Sequence, residues 1–217
     1  MKINHFFKLT RMVCFCILLF VLNGCNGQSE NNDSCLLHLK NARNQIASYY
    51  KTNEQSLLLS SIDECEKSMP CLETRKAAIE LKVGLIIKLK RFQEGQKYVD
   101  SLTESDFKLK YKKRMWHNYF IALEFDSKGD TVKRNNYYKE IVSDIQNYIF
   151  KDSLPAGEIN EESYYDLLFA KSKFLNKKEV YDEIEVLIHR YPKEQQFFDG
   201  VKTSLYKVSF SSNASEN

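Results

Sequence analysis

Apolar residues recur at the spacing of one helix face along most of the chain, and that pattern restricts the fold to packed helices. Leu39, Ala42, Ile46 and Tyr49 fall at i, i+3, i+7 and i+10, and Phe92, Gly95, Val99 and Leu102 repeat that spacing. Leu58, Ile62, Cys65 and Met69 fall at i, i+4, i+7 and i+11. In each set a small residue permits a neighbouring helix to come close, and the larger ones fill the seam. Ala78, Ile79, Leu81, Val83, Leu85, Ile86, Ile87 and Leu89 cover most of a helix circumference, as expected of a helix buried between neighbours. No stretch alternates apolar and polar residues long enough to compel a strand. Seven Gly and three Pro are too few for the many tight turns of a sandwich, and 43% hydrophobic residues are too many for a disordered chain. The expected class is all-α.

Turn signals divide the helices. They fall at Lys51-Thr52-Asn53, Lys90-Arg91, Lys128-Gly129-Asp130 and Asn176-Lys177. Thr52 with Gln55 fits a capping box, Asp130 suits an N-cap, and Asn160 precedes two acids at a helix start. Pro70, Pro155 and Pro192 fall where helices must end. The expectation is four antiparallel hairpins near residues 34–69, 71–105, 107–151 and 160–191, then a capping helix near 194–208.

On these residues the chain resembles the tetratricopeptide repeat family. Lys88-Leu89-Lys90-Arg91-Phe92-Gln93-Glu94-Gly95 is similar to that family's turn between helices A and B, with Gly95 at the small position of helix B. Leu58, Ile62, Cys65 and Pro70 share their spacing with Val180, Ile184, Leu187 and Pro192, and both sets match the helix B signature. Trp116-x-x-Tyr119 is similar to the aromatic start of helix A. Turn-to-turn spacing is about 38–48 residues, longer than the family's ~34. The resemblance covers roughly residues 35–195 and implies a superhelix of hairpins, within a helical-repeat domain over residues 35–208, whose A helices line a concave binding surface.

The N-terminus reads as an address. Lys2, Lys8 and Arg11 precede an unbroken apolar run, Met12–Leu22, about half the length needed to span a bilayer. Leu22-Asn23-Gly24-Cys25 follows and resembles the lipobox of bacterial lipoproteins. That resemblance implies a signal peptide over residues 1–24, cleavage before Cys25 and a diacylglycerol on its sulfur. Asn26, rather than Asp, implies the outer membrane of a Gram-negative cell, on its periplasmic face or its surface. Residues 25–34 form the lipidated Cys and a flexible polar tether reaching roughly 15–18 Å, and residues 209–217 read as a disordered tail. Without the three signal-peptide cations the chain carries 29 residues of each sign, which argues against nucleic acid as a partner.

Cys35, Cys65 and Cys71 remain in an oxidising compartment, where three pairings are open. Cys65 and Cys71 flank a Pro-containing turn, which favours that bridge, although a hairpin would also bring Cys35 near Cys65. No metal or cofactor is expected, because His5, His38, His117 and His189 are scattered and no ligand spacing occurs. Adjacent acids such as Asp63-Glu64 and Glu161-Glu162 diverge by about 100° on a helix and do not share a site. With no nucleophile elbow or phosphate-cradling Gly loop either, the chain reads as a binding protein and not an enzyme.

The most pointed local feature is the basic run Lys108–Arg114, whose Lys110, Arg114 and His117 fall on one helix stripe suited to an acidic peptide, a carboxylate or lipid phosphates. A few exposed Tyr among Tyr137, Tyr138, Tyr148, Tyr164 and Tyr165 would suit a recognition surface. Asp130-Thr131-Val132 and Asp152-Ser153-Leu154 resemble a short acceptor for O-linked glycans. The functional expectation is a lipid-anchored adaptor binding a protein or peptide at the outer membrane. The alternative is a periplasmic immunity or inhibitor lipoprotein that neutralises a secreted toxin.

Overall fold

The computed structural model describes residues 27–151 and 158–207. The signal peptide, Cys25, the Asp152-Ser153-Leu154 sequence and the 209–217 tail lie outside them. Among the described residues all regular structure is helical, as the apolar spacing requires. The chain divides into two compact units, Met1–Leu89 and Lys90–Asn217.

The first unit holds α1 (Gly27–Thr52), α2 (Gln55–Ser68) and α3 (Leu72–Lys88). α1 and α2 form a hairpin, and α3 packs on both. Small side chains set the close approach. Ala42 is fully buried, the Ser61 hydroxyl donates to the Ala42 carbonyl at 2.9 Å, and the Ser68 hydroxyl donates to the Cys35 carbonyl at 2.8 Å. Thr74 carries the contact into α3 by donating to the Ser68 carbonyl at 2.6 Å. Each bond satisfies a buried hydroxyl against backbone, so the seam is polar without being unpaired. At its edge Glu64 meets His38 at 2.8 Å and Lys67 at 2.7 Å, and Lys67 first, then His38, holds its carboxyl down to about 2.

Three expectations for this region are corrected. The residues before Cys35 were expected as tether, yet the chain is helical from Gly27. Nothing in Gln28–Ser34 breaks a helix, since the segment holds neither Gly nor Pro. Thr52 does not form a capping box with Gln55. It still belongs to α1, donating to the Ser48 carbonyl, and Asn53 at φ 57° ends the helix in the left-handed region that Asn tolerates. The disulfide joins Cys35 to Cys71, not Cys65 to Cys71. Cys71 stands at the N-cap of α3 beside the start of the α1–α2 seam, with 6.2 Å between the bridged Cα atoms. Cys65 points into the core, fully buried, and burial pushes its thiol up to about 12.

The second unit holds α4 (Phe92–Ser101), a 3-10 turn at Glu104–Asp106, α5 (Lys112–Ser127), α6 (Thr131–Lys151), α7 (Glu161–Lys171), α8 (Lys177–Arg190), a 3-10 turn at Pro192–Glu194 and α9 (Gln195–Lys207). α4 packs on α5, α5 on α6 and α6 on α7. One core joins α5, α6 and α7 through Met115, Ala122, Tyr138, Ile141, Ile145 and Leu167. A second joins α7, α8 and α9 through Leu168, Val180, Ile184 and Phe198. The expected first, third and fourth hairpins are thus α1–α2, α5–α6 and α7–α8, while the helices of the expected second, α3 and α4, belong to different units.

The caps follow the sequence. Asp130 accepts from Lys133 N at 3.0 Å after Gly129 turns the chain at φ 73°. Asn160 accepts from Ser163 N at 3.1 Å, and Asn176 with Glu179 closes a full capping box. Gly95 has the role its position implied: a Cβ there would lie 2.2 Å from the Phe120 ring.

Gly95→Ala should therefore destabilise the second unit by about 1–3 kcal/mol through overpacking, read from the urea midpoint. Replacing Cys35 and Cys71 together by Ser should cost the first unit about 3–4 kcal/mol, given the 36-residue separation of the bridge. Peptide mapping without reductant should recover Cys35 joined to Cys71 and Cys65 as the free thiol.

Candidate functional site

The second unit encloses a small aromatic pocket between α5 and α7, floored by α6. Met115, Trp116 and Tyr119 come from α5, Ile141 from α6, and Tyr165, Asp166, Phe169 and Ala170 from α7. Its volume is about 160 Å³. Helical spacing assembles the walls: Trp116 and Tyr119 are i, i+3, and Tyr165 and Phe169 are i, i+4, so each pair shares one face. Trp116 meets Tyr119 edge to face at 5.7 Å between centroids, and Tyr165 lies parallel to Phe169 at 6.2 Å. Tyr119 also contacts Phe169 at 5.9 Å, which ties the two walls together. Burial pushes the Tyr119 phenol up to about 12, so the ring is neutral at physiological pH.

A buried ion network fixes one end of the pocket. Lys112 Nζ lies 2.6 Å from Asp166 and 3.0 Å from Glu162. Only 7% of the Lys112 side chain and 11% of the Asp166 side chain meet solvent. Tyr111 donates to Asp166 at 2.7 Å, and Lys108 pairs with Glu162 at 2.7 Å from the outside. Burial works against the Lys112 charge, but the two carboxylates outweigh it and hold the ammonium above its ordinary range. The ammonium also sits 5.9 Å from the centre of the Trp116 ring.

Two donors on the helices that form the pocket have no such match. Trp116 Nε1 is buried and has no hydrogen-bond partner among the described residues. An unsatisfied buried donor costs about 1–3 kcal/mol. Lys173, just after α7, holds its ammonium 4.1 Å above the centre of the Phe169 ring and makes no ion pair among the described residues. Burial pulls its pKa down, with the more distant Asp126 carboxylate opposing. Tyr165, 39% exposed, stands at the rim.

The basic stripe is rearranged. Lys110 is exposed but lies in a turn before α5, so it does not continue a helical face with Arg114 and His117. Arg114 pairs with Asp144 at 2.9 Å, and His117 with Asp100 at 2.6 Å. Lys113 donates to the Leu102 carbonyl. The reason is local: Phe107, Leu109 and Tyr111 are all buried while Lys108 and Lys110 point out, a two-residue alternation that delays the helix to Lys112. The run thus binds mainly this chain's own acids. A wider groove of about 760 Å³ lies on the other side of α7, lined by Phe150, Tyr164, Glu183, Arg190 and Tyr191 among others, with the Tyr164 and Tyr191 hydroxyls 2.9 Å apart.

Among the described residues no group of three or more His, Cys, Asp or Glu is arranged to hold a metal, and no helix is long and apolar enough to cross a membrane. No protein family, curated protein or solved structure matches the chain.

Asp166→Asn, which leaves Lys112 buried with one carboxylate, should lower stability by about 3–5 kcal/mol in urea unfolding. Arg114→Ala, at a side chain 68% exposed, should change it by less than about 1 kcal/mol.

Proposed function

We propose that this chain is a lipid-anchored helical adaptor that holds a protein or peptide partner at the outer membrane, tethered through Cys25 and engaging the partner at the α5–α7 pocket. The observation that carries this reading is the pocket itself: an aromatic, open site whose buried indole N–H has no acceptor among the described residues. Helices packed through small residues and a buried ion pair present such a surface preformed, so little ordering is needed on binding. Anchoring concentrates the site at the membrane, where a modest affinity suffices. The basic residues first considered for binding support the scaffold more than the contact, since Arg114 and His117 are paired within the unit.

A photo-crosslinking residue placed at Tyr165 in intact cells tests the reading. One envelope protein should be captured from position 165 and not from exposed Val132 at the start of α6. Capture should fall when Cys25→Ala removes the lipid attachment. An absence of adducts from position 165 in intact envelopes would reject the adaptor role.

A further inference from the structure

We infer that the outward face of α1 lies along an anionic phospholipid surface, with Leu36, Leu37 and Tyr50 dipping into the headgroup layer and Lys40, Arg43 and Lys51 meeting lipid phosphates. This rests on the lipid anchor of the reading above and specifies how the first unit sits on the membrane. At 3.6 residues per turn the six side chains fall within about 140° of the α1 circumference. The side of α1 turned to the unit's own core buries Cys35, Leu39 and Ala42 instead. Leu36, Leu37 and Tyr50 take no part in that core and are 59%, 55% and 68% exposed.

Charge and chain length decide what covers this face. Between Asp33 and Glu54 the chain holds no acid. Lys40, Arg43 and Lys51 are exposed and form no ion pair among the described residues. Lysines on other exposed helix faces close on an acid within one turn, as Lys128 does on Glu124, Lys133 on Asp130 and Lys178 on Asp182. That is how a merely solvated face satisfies its charges. The Lys88 ammonium, 5.5 Å from the centre of the Tyr50 ring, adds a further cation at the far end of α1. Cations interspersed with apolar side chains match the headgroup layer, where phosphates border the acyl chains. The anchor sets the direction of approach. Cys25 precedes Gly27, the first residue of α1, by two positions, so at most ~7 Å of extended chain separates the lipid-bearing residue from the helix. A helix standing on end would carry Leu36 about 14 Å and Tyr50 about 35 Å beyond Gly27, clear of lipid, whereas a helix lying flat brings both to it.

The intact anchored protein is reconstituted in nanodiscs of phosphatidylcholine containing phosphatidylglycerol, with a photo-crosslinking residue placed at position 37, 50 or 63 in turn. Asp63, exposed on α2, is the control. Phospholipid adducts, read by mass spectrometry, should form from 37 and 50 at several times the yield from 63. Lys40→Gln, Arg43→Gln and Lys51→Gln together, all at exposed positions, should cut the yield from 50 several-fold. Added salt, or discs of phosphatidylcholine alone, should do the same to the unaltered face. Adducts from 37 without 50 would show a helix standing on end and overturn the inference. Equal yields from 50 and 63 would overturn it too, as would a yield from 50 indifferent to the triple variant and to lipid charge, or capture of a protein and not of lipid from 50 in intact cells. The mass of the purified chain reads the anchor separately, and a Cys25 without lipid would overturn both readings. If Cys25 carries lipid and position 165 captures an envelope protein while 50 yields no lipid, the docked face fails and the adaptor reading stands. If 37 and 50 yield lipid and 165 captures nothing, the reverse holds.

Discussion

An ammonium taken almost wholly out of water, that of Lys112, organises the second unit. Desolvating a lysine is costly unless carboxylates replace the water, and here Asp166 and Glu162 do so from a different helix. Both acids come from the first turns of α7, and Lys112 opens α5, so the pair sets where those two helices lie side by side. Tyr111 adds a hydrogen bond to the same Asp166 oxygen that Lys112 engages. With the helix starts held, Trp116 and Tyr119 one turn along α5 face Tyr165 and Phe169 on α7. The aromatic pocket is a consequence of that alignment.

Small residues do the complementary work of letting backbones approach. In the first unit Ala42 and Ser61 bring α1 and α2 close enough for a hydroxyl-to-carbonyl bond across the seam. In the second unit Gly95 admits the Phe120 ring into space that any Cβ would occupy. The first unit adds a covalent tie at the mouth of its hairpin, Cys35 to Cys71, where α1 meets the start of α3. The second has no such tie among its described residues and relies on two apolar cores that share α7. Leu167 serves one and Leu168 the other, about 100° apart around the helix, which is why α7 carries apolar residues on two faces.

The candidate site was only partly legible beforehand. Trp116-x-x-Tyr119 stood out as similar to the aromatic start of a repeat's helix A, and Tyr165 was one of several Tyr of which a few exposed ones would suit recognition. Their meeting across two helices was not visible, because nothing in either segment specifies the register between α5 and α7. The basic run drew attention for its charge, but charge along a helix says nothing of which acids fold back to meet it. Asp100, Asp144, Glu162 and Asp166 lie between 17 and 54 residues from the basic side chains they meet. The alternation of Phe107, Leu109 and Tyr111 with Lys108 and Lys110 was the one local signal that the helix begins late.

Sequence by itself determined the all-helical class, the helix ends at Asp130, Asn160 and Asn176, and the role of Gly95, because periodicity, capping and the lack of a side chain act within one or two turns of the backbone. Tertiary structure decided which cysteines bridge, where the cations find their acids and how four aromatic residues from two helices enclose a ring-sized space. Those outcomes depend on distances between segments far apart in the chain, and such distances are set by how the helices pack.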